Sequence, residues 1–198
     1  MQRISLFFLL LLLLMPVSAY SAIGFSFEVG GGSGNFNGNS IIFNTDVDTG
    51  FANIGFVYDA NPYAEQGNFS YRLNIALEGH DYKDRGVTLE TGALVFDNTF
   101  AFTLAKSERA TFWIGPQIRV GFMNGETDEF DPLEVDGSMF GLGAVVGTNI
   151  KTASNVGTGL SAGVRSTALA GDMSESGFSD DFTAHATEFF VNLALLFN

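Results

Sequence analysis

From Phe69 to Glu78 the chain reads FSYRLNIALE, and parity sorts its side chains into two sets. Phe69, Tyr71, Leu73, Ile75 and Leu77 form one; Ser70, Arg72, Asn74, Ala76 and Glu78 form the other. Neighbouring side chains of a β-strand point to opposite faces, so this stretch predicts a strand with an apolar and a polar side. A helix would spread both sets around its circumference. Seven further segments carry the same period. Their apolar sets begin at Ile23, Ala52, Leu94, Phe112, Phe140, Val156 and Phe189. Beyond the N-terminal leader no run reaches the roughly 18 apolar residues of a membrane-spanning helix. The expectation is all-β: eight antiparallel strands closed into an up-and-down barrel.

The polar set decides which face meets water. A soluble barrel turns its apolar residues inward and its charges outward. Here the polar set is mostly Gly, Ser, Thr, Asn and Ala with a few isolated charges, and no predicted strand contains Lys. A solvated exterior carries a quarter or more charged residues of both signs. The polar set therefore belongs in a cramped lumen and the apolar set faces lipid, which makes the barrel transmembrane. The 24 glycines and 21 phenylalanines fit the same division, with close backbone approach inside and aromatic residues near the membrane boundaries.

The chain closes on TEFFVNLALLFN, with Phe197, Leu195, Leu193, Val191 and Phe189 at alternate positions. An aromatic residue ending an alternating last strand resembles the C-terminal signal of bacterial outer-membrane proteins. Asn198 shifts it by one residue, since that family usually ends on the aromatic itself. In strand number and size the mature chain resembles the OmpA/OmpX-type small barrels. The resemblance implies insertion by the barrel assembly machinery, contact with outer-membrane lipid and lipopolysaccharide, and a monomer in the cell outer membrane.

The N-terminus reads as an address. Arg3 precedes the short apolar run Leu6 to Leu14, Pro16 breaks it, and Val17-Ser18-Ala19 offers small residues for cleavage. Residues 1–19 are expected to be a cleaved signal peptide and 20–198 the barrel. DANPYAEQGN, KSER and NIKTASN predict short turns at one end, and longer acidic loops are expected at the other. That asymmetry puts both termini in the periplasm.

Several function classes fall away. The formal charge of -13 opposes a nucleic-acid partner. With no Cys there is no thiol chemistry or Cys-based metal site. No metal or cofactor set is evident. The acidic stretch Asn124 to Gly137 lacks EF-hand spacing and reads, with Asp172, Glu175, Asp180 and Asp181, as solvated loop. His80 opens an outer loop. His185 sits in TAHATEF between threonines with no serine beside it, so no nucleophile–base pair is evident and no enzyme is expected.

What remains is the lumen. Alternation turns Glu28, Arg72, Glu78, Asp97, Arg119, Arg165 and Glu188 inward. A charge in a closed lumen needs a partner, so Glu28, Arg72, Asp97, Arg119, Arg165 and Glu188 are expected to form a structural charge network. The glycines of the sixth and seventh segments should make room for Trp113, Met139 and Phe190. The KSER turn sets a register pairing Ala105 with Thr111 and hence Asp97 with Arg119, and Pro116 predicts a bulge or local kink near it. The expected function is structural or surface-interacting. The alternatives are a narrow channel for small molecules and, behind it, a lipid A-modifying enzyme.

Overall fold

The computed structural model describes residues 20–38, 46–65, 67–84, 87–127, 134–175 and 178–198. The expected signal peptide lies outside them. The eight strands are β1 (Ala22–Gly38), β2 (Asp46–Asp59), β3 (Phe69–Asp84), β4 (Val87–Lys106), β5 (Ala110–Thr127), β6 (Glu134–Ala153), β7 (Val156–Glu175) and β8 (Phe178–Phe197). Each pairs antiparallel with its sequence neighbour, and β8 pairs with β1 to close the ring.

The strands outrun the membrane. A tilted strand crosses the hydrocarbon in roughly 9–11 residues, whereas five of these strands have 20 or 18. The wall divides into two zones of opposite polarity. Towards the end where Ala22 and Phe197 lie, Phe25, Phe27, Ile54, Phe56, Leu77, Phe102, Phe140, Leu142, Phe189, Val191 and Leu193 are exposed on the outside. Towards the far end the faces swap. Phe36, Val47, Tyr82, Leu89, Met123, Val135, Leu169, Met173 and Phe182 fill the interior, while Asp48, Glu90, Glu126, Glu134, Asp136, Asp172 and Asp181 stand exposed outside.

This swap corrects the expected long acidic loops. Most of those acidic residues extend the strands; of the stretch Asn124 to Gly137, residues 128–133, with the carboxylates Asp128, Glu129 and Asp131, lie outside the described residues. His80 likewise belongs to β3 and is buried in the lumen, opposite Phe51, rather than opening a loop. Burying apolar side chains beyond the membrane contributes about 25 cal/mol per Å². That makes the far end a self-supporting core.

The longest described connection is between β2 and β3, and it folds back into the barrel mouth. Ala60, Asn61, Tyr63 and Ala64 are buried. Thr111 and Asn149 donate hydrogen bonds to the Pro62 carbonyl at 2.8 and 2.6 Å, and Lys106 donates to that of Ala64 at 3.1 Å. Lys151 lies over the Tyr63 ring, 4.8 Å from its centre. Burial, with the nearby Asp59 carboxylate, holds the Tyr63 hydroxyl above the ordinary phenol range.

In the β4–β5 hairpin Asp97 pairs with Arg119, Thr99 with Gln117 and Thr103 with Trp113. The expected Ala105–Thr111 and Leu104–Phe112 pairs do not form. The register shifts between Thr103 and Ala105, so Ala105 meets Phe112 and Lys106 meets Thr111. The bulge thus sits beside the turn, and of the bulge or local kink expected near Pro116 only a local interruption of the ladder is found. At Pro116 the ladder simply skips two rows with register kept, as a residue without an N–H allows.

Glycines do accommodate large inward side chains, with different partners from those expected in part. A Cβ on Gly147 would collide with the Trp113 ring, and one on Gly163 would lie 2.6 Å from Phe190 Cζ. Met139 instead packs against Gly121, and Gly143 is backed by the Arg165 stem. Overpacking costs about 1–3 kcal/mol. Gly163→Leu should therefore lower the urea midpoint of the detergent-folded barrel; an unchanged midpoint would mean the lumen has slack that this packing denies.

Candidate functional site

The midpoint of the lumen is a layer of charge. Arg119 holds Asp97 through two bonds, Nε to Oδ1 at 2.8 Å and Nη2 to Oδ2 at 3.0 Å. Its Nη1 donates to Glu78 Oε1 at 2.8 Å, and Glu28 lies 3.6 Å from Nη2. Arg165 reaches Glu28 at 2.7 Å and Glu188 at 3.0 Å. Its guanidinium is 4.2 Å from the centre of the Phe51 ring. Asn53 donates to Glu78 at 3.0 Å and Asn192 to Glu28 at 3.3 Å. His80 closes the layer, with Nε2 2.9 Å from Glu188 and Nδ1 3.6 Å from Glu78.

Five of the six expected site residues, Glu28, Asp97, Arg119, Arg165 and Glu188, meet in this layer, with Glu78 and His80 between them. Arg72 does not join it. It sits nearer the end where Ala22 and Phe197 lie, with Nη2 2.7 Å from Asp59 Oδ2 and 2.8 Å from Asn149 Oδ1, and 5.0 Å from the centre of the Trp113 ring. Asp59 ends β2 with the inward parity of Asn53 and Val57, but it opens the stretch DANPYAEQGN that reads as a turn, so the sequence does not count it as luminal. A space of about 20 Å³, bounded by Ser26, Asn74 and Gln117 among others, separates the two groups.

Among the described residues the lumen is thus filled at three levels. The β2–β3 connection and the Arg72–Asp59 pair close one end, the charge layer closes the middle, and the Phe36–Tyr82–Phe182 cluster fills the far end. Phe36 meets Tyr82 edge-on at 5.0 Å and stacks with Phe182 at 5.9 Å.

The outer wall has two features. Around the far end, carboxylates stand directly opposite one another: Asp81 with Glu90, Glu90 with Glu126, Glu126 with Glu134, Asp136 with Asp172, and Asp172 with Asp181. Like charges at that spacing repel. Several of them line an open concavity of about 580 Å³ over β3 to β6. Nearer the apolar belt, Ser166 Oγ and His185 Nε2 are 2.6 Å apart. The expectation that His185 has no serine beside it is therefore corrected. Ser166 comes from β7, and only the β7–β8 register brings it there.

No protein-family model matches this chain, and no curated protein matches it. Solved structures do. The outer membrane protein OprG of Pseudomonas aeruginosa superposes with a TM-score of 0.61 at 8% identity, covering 90% of this chain and 94% of that one. Neisserial surface protein A gives 0.41 at 11% identity, covering 86% and 97%. Ail, the attachment invasion locus protein of Yersinia pestis, gives 0.45 at 9% identity, covering 89% and 97%. The likeness to OprG establishes the fold, that of an outer-membrane β-barrel.

Proposed function

We propose that this chain is an integral outer-membrane protein with a sealed lumen, both termini in the periplasm, and an acidic collar held above the membrane for surface interaction. The observation that carries the reading is the swap of polarity along the wall. An apolar exterior suits lipid; the zone with its apolar residues inside and carboxylates outside suits water. The barrel works as a stalk. Its collar attracts cationic groups, its belt contacts acyl chains and lipopolysaccharide, and its last strand is read by the assembly machinery. It acts as a monomer, and the charge layer gives the stalk its rigidity.

The channel alternative finds no support in the filled lumen described above. Purified protein in planar lipid bilayers should give no conductance steps. Regular steps from a protein of proven purity would contradict the seal, and recovery from the soluble periplasmic fraction would contradict the location.

A further inference from the structure

We propose that Ser166 and His185 form a nucleophile–base pair that cleaves acyl esters of membrane lipid on the outer wall of the barrel. This goes beyond the stalk reading and rests on it for the membrane location. The Ser166 hydroxyl is 2.6 Å from His185 Nε2, the contact an activated serine needs. Both residues lie on the outward face: Ser166 is half-buried and His185 exposed.

Their height on the wall points to the substrate. Val164 and Phe189, directly opposite each other, are 37% and 69% exposed and form the last apolar row of β7 and β8. Ser166 and Thr187 form the next outward row, with Ser33 continuing it onto β1. His185 and Asn35 are opposed in the row after that. The polar constellation therefore begins where hydrocarbon gives way to head groups, which is the depth of the ester linkages of acyl chains. Ala168, the partner of His185 on β7, leaves the ring accessible from the lipid side.

The surrounding residues supply the other roles. Asn35 stands across from His185 on β1, on the side away from Ser166. Direct partners have Cβ atoms about 4.5–5.5 Å apart. From there its carboxamide oxygen can accept the Nδ1–H and keep Nε2 free for the serine, making Asn35 a positioning residue. Backbone N–H groups are committed to the ladder, so hydroxyls must serve as oxyanion donors. Thr187 and Ser33, in the row of Ser166, are placed for that.

The chemistry balances with water as co-reactant. His185 Nε2 takes the Ser166 proton as Oγ bonds to the ester carbonyl carbon. The tetrahedral oxyanion collapses, the bond to the alcohol oxygen breaks, and the imidazolium returns its proton to that oxygen. Water, deprotonated by His185, then attacks the acyl-serine, releasing a fatty acid and restoring the Ser166 hydroxyl.

The test uses purified chain folded in detergent–lipid micelles. One arm holds glycerophospholipid with an isotopically labelled acyl chain, the other lipopolysaccharide, and released fatty acid is read by mass spectrometry. A fluorophosphonate reagent, which bonds covalently to activated serines, gives a readout independent of turnover. Release in either arm, with the reagent on Ser166, supports the site and identifies the lipid source. Ser166→Ala and His185→Ala should lower release by about 10²–10⁴-fold, the usual contribution of a general base or more. Ser138→Ala, an exposed serine on β6, should change nothing. Asn35→Ala should lower the rate and shift its pH profile, with Asn35→Asp restoring both. No release and no labelling from a protein that is folded and lipid-inserted would overturn the site while leaving the stalk intact. Failure to insert into lipid would overturn both.

Discussion

Arg119→Ala should destabilise the folded barrel by about 3–5 kcal/mol, the usual consequence of stranding buried charges. Arg119 is 1% exposed and holds Asp97 at 2.8 Å and Glu78 at 2.8 Å, with Glu28 at 3.6 Å. Removing it leaves three carboxylates facing one another with Arg165 as the remaining guanidinium of the layer. Asp97→Ala should also destabilise, because it strands half of the Arg119 fork. The double variant should fall well short of the sum, since each change removes the reason the other residue is costly. Heat-modifiability on gels gives the folded fraction, and urea titration gives the free energies. Strictly additive costs would show that Asp97 and Arg119 are not coupled.

Deleting Leu195 to Asn198 should prevent assembly altogether. Phe197 pairs with Ile23 on one side and Val156 on the other; Leu196 with Gly24 and Gly157; Leu195 with Phe25 and Thr158. The deletion therefore opens the seam between first and last strands at the membrane level, where unpaired backbone groups meet lipid at several kcal/mol each. Leu196 also fills an inward cluster with Ala22, Val57 and Ala194. No folded species should form, either in cells or in detergent. Normal membrane levels of the truncated chain would contradict both the seam and the terminal signal. Deleting Asn198 alone removes one backbone bond to Asn155 and should be tolerated.

The membrane half was legible because its alternation is apolar outward, and one rule applied to β3 also found the other strands. The far half obeys the same period with its polarity inverted. The polar stretches TLETGA of β4 and SGNFNG of β1 then read as loop, although Leu89 and Phe36 are buried there. A search for period alone, indifferent to sign, would have extended the strands. The Asp97–Arg119 pair followed from parity and a short turn, since a one-residue slip would turn an apolar set into the lumen. The Ala105 bulge is a backbone irregularity with no residue signal. The Ser166–His185 pair was hidden for another reason. The residues are 19 positions apart and meet only through the β7–β8 register, so a search along the sequence around His185 finds threonines alone. Arg72 was misplaced because its partner Asp59 opens a stretch that reads as a turn, although its parity is inward.

The most direct test of the polarity assignment uses two neighbouring residues of β8. The chain has no Cys, so Leu193→Cys and Ala194→Cys each carry a unique thiol. Leu193 is 51% exposed on the outside, while Ala194 is 1% exposed in the lumen. In folded protein reconstituted into vesicles, a fluorophore on Leu193→Cys should be quenched by bromine-labelled acyl chains and be insensitive to iodide in the water. The thiol of Ala194→Cys should resist labelling until the barrel is unfolded. Iodide quenching at position 193 without quenching from the lipid, together with ready labelling at position 194, would mean that the apolar face does not meet the membrane.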